Sequence, residues 1–497
     1  MNEAASAPSN RRAGKADNTL DTRPGPAPIS RPPSTMPVSR DTLRRLLVPL
    51  LLALLGIGLF SWLVPAERLA VADQLAGFPD SDQTAHAARP YILSALCFLP
   101  AACGLLYAFA GTLARYMTRQ FAGIFAICFL SLLTIWLLQD LQNNLSDFRG
   151  GKHLLHTLGV FYGTRLPFII RELLPYALLL SLLFCLGKLS KSREIVAMIQ
   201  TGRSLPRIVG PLILSGLVAT ALCMALNYHW APIAEGTGDE ILETAKAAAI
   251  KGGAGVEIKA SNVLYRNPGK HRLWMVGTFP KNYEKGEPLL NVEVTTTRDD
   301  KTLETRLAAS KAIWNPADRS WTFENAITGE FTPGLYPMFN SEPETVVKQG
   351  WSETPWQLIK PGLSPPFLGI PDLNSWLKAN SGNEVTLNPA PYLTQWHYRW
   401  AQPVICLVTV LLAAPLGIHF SRRGSTGGVA MAVALSGALL FFTTMSLSFG
   451  EASIISPAAA AWLPNAAFAL LGMYLFHRRM TGRPIYQSIL KLFPGGN

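Results

Sequence analysis

Leu273-Trp274-Met275-Val276 and Val292-Glu293-Val294-Thr295 alternate apolar and polar residues with a period of two. That is the pattern of strands with one buried face. Both runs lie in a polar block between Trp230 and Gln395, and long apolar helical stretches flank the block on both sides. Val256-Glu257-Ile258-Lys259 alternates similarly, and turn chemistry separates the runs at Asn267-Pro268-Gly269, Asp299-Asp300-Lys301 and Asn315-Pro316-Ala317-Asp318. Repeated short strands with such turns predict a sandwich or jelly roll. Residues 232–252 read as a helical lead-in, and residues 361–397 as a Pro-rich, then helical, return. A β domain is thus inserted between two groups of membrane helices.

The flanks supply the membrane part. The chain has 497 residues, 49% hydrophobic and only 15% charged, a balance typical of a multispan protein with a modest extramembrane domain. A span needs about 20 apolar residues, because the hydrocarbon core is roughly 30 Å thick. Eight segments qualify: Leu46–Val64, Tyr91–Leu113, Phe121–Leu138, Gly159–Gly187, Ile208–Leu226, Pro403–Phe420, Val429–Phe449 and Ala459–Phe476. The formal charge of +12 is concentrated in residues 1–45 and in short connections carrying Arg115 and Arg119, Lys188 to Arg207, Arg422 and Arg423, and Arg478 to Lys491, while the polar block is slightly acidic. The positive-inside rule then predicts cytoplasmic termini and a polar block on the far side. Topology accounts for the basic balance, so nucleic acid is not an expected partner.

All six cysteines fall within apolar spans, which excludes a disulfide framework in the exported block and a Cys-based metal site. The first 45 residues are Pro-rich and polar, and read as a disordered basic tail. The chain has no G-x-x-x-x-G-K-[ST], H-E-x-x-H or G-x-S-x-G motif, so no nucleotide cradle, metal centre or nucleophile is legible and no catalytic residue is expected. The fourth span carries Arg165, Pro167, Arg171, Glu172 and Pro175. A central charge costs about 2.5–3.5 kcal/mol on insertion, so these groups are expected near the outer interface or facing an aqueous cavity. In Leu186–Arg207, Ile195, Met198 and Ile199 form one apolar stripe, Arg193 and Glu194 stand at its start, and Gly202 fits a helix C-cap. Such a helix between two spans either lies on the membrane surface or docks in a partner's groove.

From about residue 112 to 480 the chain resembles the lipopolysaccharide export permease family of LptF/LptG type. The resemblance begins at Leu113-Ala114-Arg115-Tyr116 with Gln120-Phe121, and continues through Arg165-Leu166-Pro167 and Leu174-Pro175-Tyr176-Ala177. It is sharpest at Leu189-Ser190-Lys191-Ser192-Arg193-Glu194, Ala197-Met198 and Gly202-Arg203-Ser204, and resumes at Ala414-Pro415-Leu416-Gly417, Phe420-Ser421-Arg422-Arg423-Gly424 and Ala461-Trp462-Leu463-Pro464-Asn465.

The resemblance implies an α-helical polytopic membrane protein with six family helices, an extra N-terminal pair and an inserted all-β, jellyroll-like periplasmic domain. Its parts would be a tail (1–45), the extra hairpin (46–113), a first three-helix unit (114–230) with a coupling helix at 190–204, the β domain with connectors (231–397), a second three-helix unit (398–480) and a cytoplasmic tail (481–497). It also implies an inner-membrane, non-catalytic permease of an ATP-driven exporter. The partners would be a dimeric cytoplasmic ABC ATPase, a second paralogous permease, a periplasmic jellyroll bridge protein and lipopolysaccharide or a related glycolipid. By the same resemblance no cofactor would bind this chain, and ATP and Mg would belong to the ATPase. Ser192, Arg193, Glu194, Ala197, Met198, Gly202 and Arg203 would form the ATPase-coupling segment, with Glu194 meeting a basic residue of the ATPase.

Some members place a basic residue near the outer end of the first family helix. Here that end carries Asp140, with no Lys or Arg between Arg119 and Arg149. Arg165 and Arg171 on the next span are the candidate substitutes. Trp136, Phe441, Phe442 and Phe449 are further candidates for a lipid cavity. Trp274, Val276, Val292 and Val294 would line the β-domain interior, where lipid chains are shielded, and Trp314 and Trp321 would pack its core. Two other readings stand beside this one. A lipoprotein-releasing or other ABC-type lipid permease usually places its exported domain after the first of four spans, whereas five precede it here. A membrane-anchored periplasmic assembly module would need no coupling helix.

Overall fold

An apolar segment in lipid must satisfy its backbone internally, and the helix does so within one segment. The computed structural model describes residues 40–77, 82–148, 154–251, 258–267, 270–280, 283, 286–300, 302–315, 318–334, 336–340, 342–359, 364–379, 388–418 and 426–481. Residues 1–39 of the tail expected at the N-terminus, the segment containing Arg422 and Arg423, and residues 482–497 lie outside these, as do Val256, Glu257, Pro268, Gly269, Lys301, Pro316 and Ala317, while residues 40–45, expected in the tail, are helical. Contacts divide the chain into Met1–Arg45 and Leu46–Asn497, and the packing of helices and sheet lies within the second unit.

The helices run α1 (Arg40–Gly77), α2 (Gln83–Ala87), α3 (Arg89–Phe109), α4 (Thr112–Phe148), α5 (Leu154–Lys191), α6 (Glu194–Gln200), α7 (Leu205–Tyr228) and α8 (Trp230–Lys251) before the sheet. After it come α9 (Pro355–Ile359), a 3₁₀ turn at Pro365–Phe367, α10 (Ile370–Ala379), α11 (Ala390–Ala401), α12 (Val404–Gly417), α13 (Thr426–Glu451) and α14 (Pro457–Met480). Among the described residues, seven helical segments are long and apolar enough to cross a bilayer, and α11 with α12, bent by 50° at their break, brings the number to eight when the pair is counted as one span. The sequence places this span at Pro403–Phe420, but α12 has 14 residues, about 21 Å at 1.5 Å per residue, and falls short of the core. Counted as one span, the pair begins in the polar and aromatic α11. The protein is a multi-pass membrane protein with a β domain between its two groups of helices.

The bundle core joins Met117 and Phe121 of α4, Leu178, Leu182 and Leu186 of α5, Ile208 and Leu212 of α7, and Val410 and Ala413 of α12. Gly216 permits the α7–α12 crossing, since a Cβ there would stand 2.7 Å from Val410. Along its middle α4 is largely exposed, with Ile127, Leu130, Ile135 and Leu138 turned outward.

The sheet strands are β1 (Ile258–Asn267), β2 (Arg272–Pro280), β3 (Leu289–Thr297), β4 (Leu303–Asn315), β5 (Ser320–Glu330), β6 (Met338–Phe339) and β7 (Glu344–Gln349). They form one antiparallel sheet in the order β1-β2-β3-β4-β5-β6, and β7 also pairs with β5. Trp274 stands opposite Val294, and Val276 opposite Val292, so these side chains share one face. A flat sheet would separate β2 from β5 by about 14 Å, three strand spacings. Instead the Trp274 and Trp321 ring centroids are 5.1 Å apart. The sheet is therefore curled over its own apolar face, one continuous hydrogen-bonded sheet in which β1 to β5 pair in sequence order. The buried Glu353 carboxylate accepts from Arg272 Nε at 2.9 Å and Asn267 Nδ2 at 2.8 Å, while its carbonyl accepts from Trp321 Nε1 at 2.7 Å.

Candidate functional site

At the bundle end away from the sheet, α6 is a separate short helix. The α5 ladder ends where Arg193 N–H donates to the Ser190 carbonyl, and that of α6 begins with Ala197 N–H donating to the Arg193 carbonyl. Left-handed residues bracket the helix: Arg193 at φ 60° and Gly202 at φ 82°. Glycine adopts this conformation freely, whereas arginine is strained by it. Ile195 is buried in the bundle core and Met198 packs against it, whereas Ile199, the third residue of the expected stripe, is exposed. Ser192, Arg193, Ala197, Gly202 and Arg203 are exposed too, so α6 offers a continuous free surface. Glu194 is held: one carboxylate oxygen accepts from the Tyr116 hydroxyl of α4 at 2.6 Å and the other from the Ser192 hydroxyl at 2.8 Å.

At the end nearest the β domain the charges of α5 are engaged. Arg165 lies 3.8 Å from Asp140 of α4 and 3.4 Å from Asp239 of α8. The Tyr162 hydroxyl donates to Asp140 at 3.1 Å. Arg171 is buried and stands 3.7 Å from Glu172, 3.6 Å from Glu235 of α8 and 3.3 Å from the Asn227 side-chain oxygen. Arg399 of α11 donates to that same oxygen and to the Leu368 and Pro366 carbonyls, and Asn227 Nδ2 donates to the Arg399 carbonyl at 2.6 Å. Burial raises the Glu235 carboxyl above its usual range, against the pull of Arg171 and Arg399. Arg171, Glu172, Tyr176, Tyr398 and Gln402 border a cavity of about 40 Å³, room for a few waters. Among the described residues no three His, Cys, Asp or Glu side chains come together as metal ligands would.

The N-terminal hairpin is fastened at the same end. Arg89 pairs with Glu67 at 2.5 Å and donates to Gln74, whose amide donates to Asp372 of α10 at 3.0 Å. The Tyr228 hydroxyl donates to the Ala85 carbonyl at 2.8 Å, and Lys378 meets Asp82 at 3.1 Å. His86 and His229 each stand 3.8 Å from an oxygen of Asp372. Burial, then the positive field of Arg89 and the neighbouring His86, holds His229 well below the usual imidazole range.

The remaining candidates separate by face. Trp136 is half-buried on α4, and Phe441, Phe442 and Phe449 are exposed on α13. Trp274, Val276, Val292 and Val294 are buried in the sheet core, where Trp321 and Phe323 pack with them; Trp314 packs against Trp321 with the rings tilted and their centres 5.2 Å apart. Sequence reading alone misses Tyr116 as the partner of Glu194, and Asn227, Glu235, Asp239 and Arg399 as partners of the α5 arginines. Glu235 and Asp239, four apart on one helix face, were the available signal for α8.

A comparison with curated proteins finds no significant match. The family described as the lipopolysaccharide export system permease LptF/LptG matches residues 115–478. The match covers α4 to most of α14, including α6 and the inserted sheet, and begins after the N-terminal hairpin. The chain belongs to the LptF/LptG family of lipopolysaccharide export system permeases.

Proposed function

We propose that this chain is a non-catalytic inner-membrane permease of an ATP-driven exporter, which extracts lipopolysaccharide from the membrane and passes it to a periplasmic bridge protein. In this reading both termini and α6 are cytoplasmic and the β domain is periplasmic. A dimeric ABC ATPase, holding ATP and Mg, receives α6 in a groove and meets Glu194 with a basic residue. A second, related permease closes a lipid cavity against the exposed faces of α4 and α13, with Trp136, Phe441, Phe442 and Phe449 toward the lipid chains. Opening of the curled sheet would let those chains exchange with its aromatic interior.

The observation that carries the reading is α6: a short helix with one seated apolar residue, a free outer face and a carboxylate at its start, opposite the end that bears the β domain. Two spans joined merely for topology need no such element. The test is purification of the full chain in mild detergent, with mass spectrometry of co-purifying protein and lipid. An ATPase, a second related permease and bound glycolipid are expected, and Glu194→Lys should lose the ATPase. A chain purified alone, or Glu194→Lys with normal ATPase assembly and lipid export, overturns the proposal.

A further inference from the structure

The contacts of Glu194 point beyond docking. It links two elements that are 78 residues apart in sequence, because its partner Tyr116 lies in the first turns of α4. The left-handed residues at both ends of α6 interrupt the helical ladder on either side, so motion of α6 is poorly transmitted along the backbone. Side chains must carry it. Ile195 seats α6 in the core, a contact without direction. The Tyr116–Glu194 hydrogen bond has direction and a charged acceptor, which makes it one of the stronger kind.

What lies along α4 makes this bond consequential. The helix runs unbroken from Thr112 to Phe148 without an internal proline. From Tyr116 to Asp140 is about 36 Å at 1.5 Å per residue. Asp140 then faces Arg165, which faces Asp239 of α8, the helix that precedes the sheet. A polar contact thus holds α4 at each end: to the coupling helix at one, and to the root of the β domain at the other. Gln120 also accepts from Lys188 at 3.2 Å, but Lys188 belongs to α5, so that bond does not follow α6.

We infer that Tyr116 is the positioning residue that passes displacement of α6 to α4, through its hydrogen bond to Glu194. This rests on the proposed ATPase coupling. A carboxylate has lone pairs for several donors, so Glu194 can meet a cation of the ATPase while keeping Tyr116. Tyr116 touches neither ATP nor lipid and acts through Glu194.

The test uses the complete exporter in proteoliposomes and measures lipid released per ATP hydrolysed, together with subunit composition. Tyr116→Phe removes one hydroxyl from a ring that is 39% exposed, and should leave assembly and ATPase rate unchanged. Released lipid per ATP should fall at least about fivefold, the lower end of coupling between sites. Lys188→Met removes the bond from α5 to Gln120 of α4, which does not follow α6, and should keep the wild-type ratio. An unchanged ratio in Tyr116→Phe, an equal fall in Lys188→Met, or loss of the ATPase from the Tyr116→Phe complex overturns the inference. A wild-type complex that contains no ATPase overturns the exporter reading itself, and is distinguished by its composition.

Discussion

Arg165→Ala distinguishes a guanidinium that braces the protein from one that holds a lipid phosphate. Arg165 sits between Asp140 at 3.8 Å and Asp239 at 3.4 Å, and stacks over Phe161 with 5.0 Å to the ring centre. Truncation strands Asp140, whose side chain is 16% exposed and which keeps the Tyr162 hydroxyl. Asp239, 44% exposed, regains water, so that arm contributes little. Deleting one partner of a buried pair costs about 3–5 kcal/mol. The long separations and the exposed second arm place this site at the low end, about 3 kcal/mol. Asp140→Asn removes the stranded charge, so the double variant should be less unstable than the sum of the single ones by about 1–2 kcal/mol. Unfolding in mixed detergent micelles, followed by circular dichroism across the four proteins, measures each value. The reasoning is refuted if Arg165→Ala unfolds like the wild type while its co-purifying lipid phosphate falls, for then the guanidinium serves the lipid.

Three further outcomes are expected. A Cβ at Gly369 would meet the Tyr228 carbonyl at 2.9 Å and His229 Cα at 3.0 Å, both backbone, so Gly369→Ala should cost about 1–3 kcal/mol as overpacking; Gly58→Ala, which meets nothing within 4 Å, should not lower the thermal midpoint. Trp321→Ala removes a fully buried ring and its hydrogen bond to the Glu353 carbonyl; it should destabilise the β domain by about 3–5 kcal/mol and flatten the near-ultraviolet dichroism. His229 has its folded pKa depressed, so the unfolded chain takes up the proton first. Its contribution is complete above about pH 6.5 and is lost as pH falls toward the folded value, by up to about 1.4 kcal/mol per pH unit. An unfolding midpoint that drops as steeply in His229→Asn as in the wild type between pH 7 and 5.5 would remove His229 from that account.

The spans and strands were legible because each rests on a local period. Trp274, Val276, Val292 and Val294 share a face whatever the sheet does next, since alternation is a property of the strand. The curl of the sheet was not legible, because it is set by rings on β2 and β5 meeting across the interior. The start of the sixth span was hidden by Trp396, His397 and Arg399, which lower the apolar signal of α11 while Arg399 is buried against carbonyls. Asp239, Asn227 and Tyr116, which meet Arg165, Arg171 and Glu194, are separated from them by 74, 56 and 78 residues, and no helical period spans such gaps. Gly202 as the α6 terminator was legible, since its positive φ is a conformation that glycine supplies without strain.

Those partnerships change what the charged end of the bundle offers to a ligand. Arg165, Arg171 and Arg399 are buried and are committed to carboxylates, an amide oxygen or carbonyls. Buried guanidinium groups demand such partners, because an uncompensated charge there costs several kcal/mol or more. The groups left in contact with the surroundings are the acids: Asp239, and Glu172 at 39% exposed. A phosphorylated head group arriving at this end meets carboxylates before it reaches any arginine, and moving an arginine out to bind it would strand Asp140 or Glu235. The two α5 arginines are therefore better matched to holding α4, α7 and α8 in register than to gripping a phosphate. Within this cluster no arginine is left uncommitted for an anionic ligand.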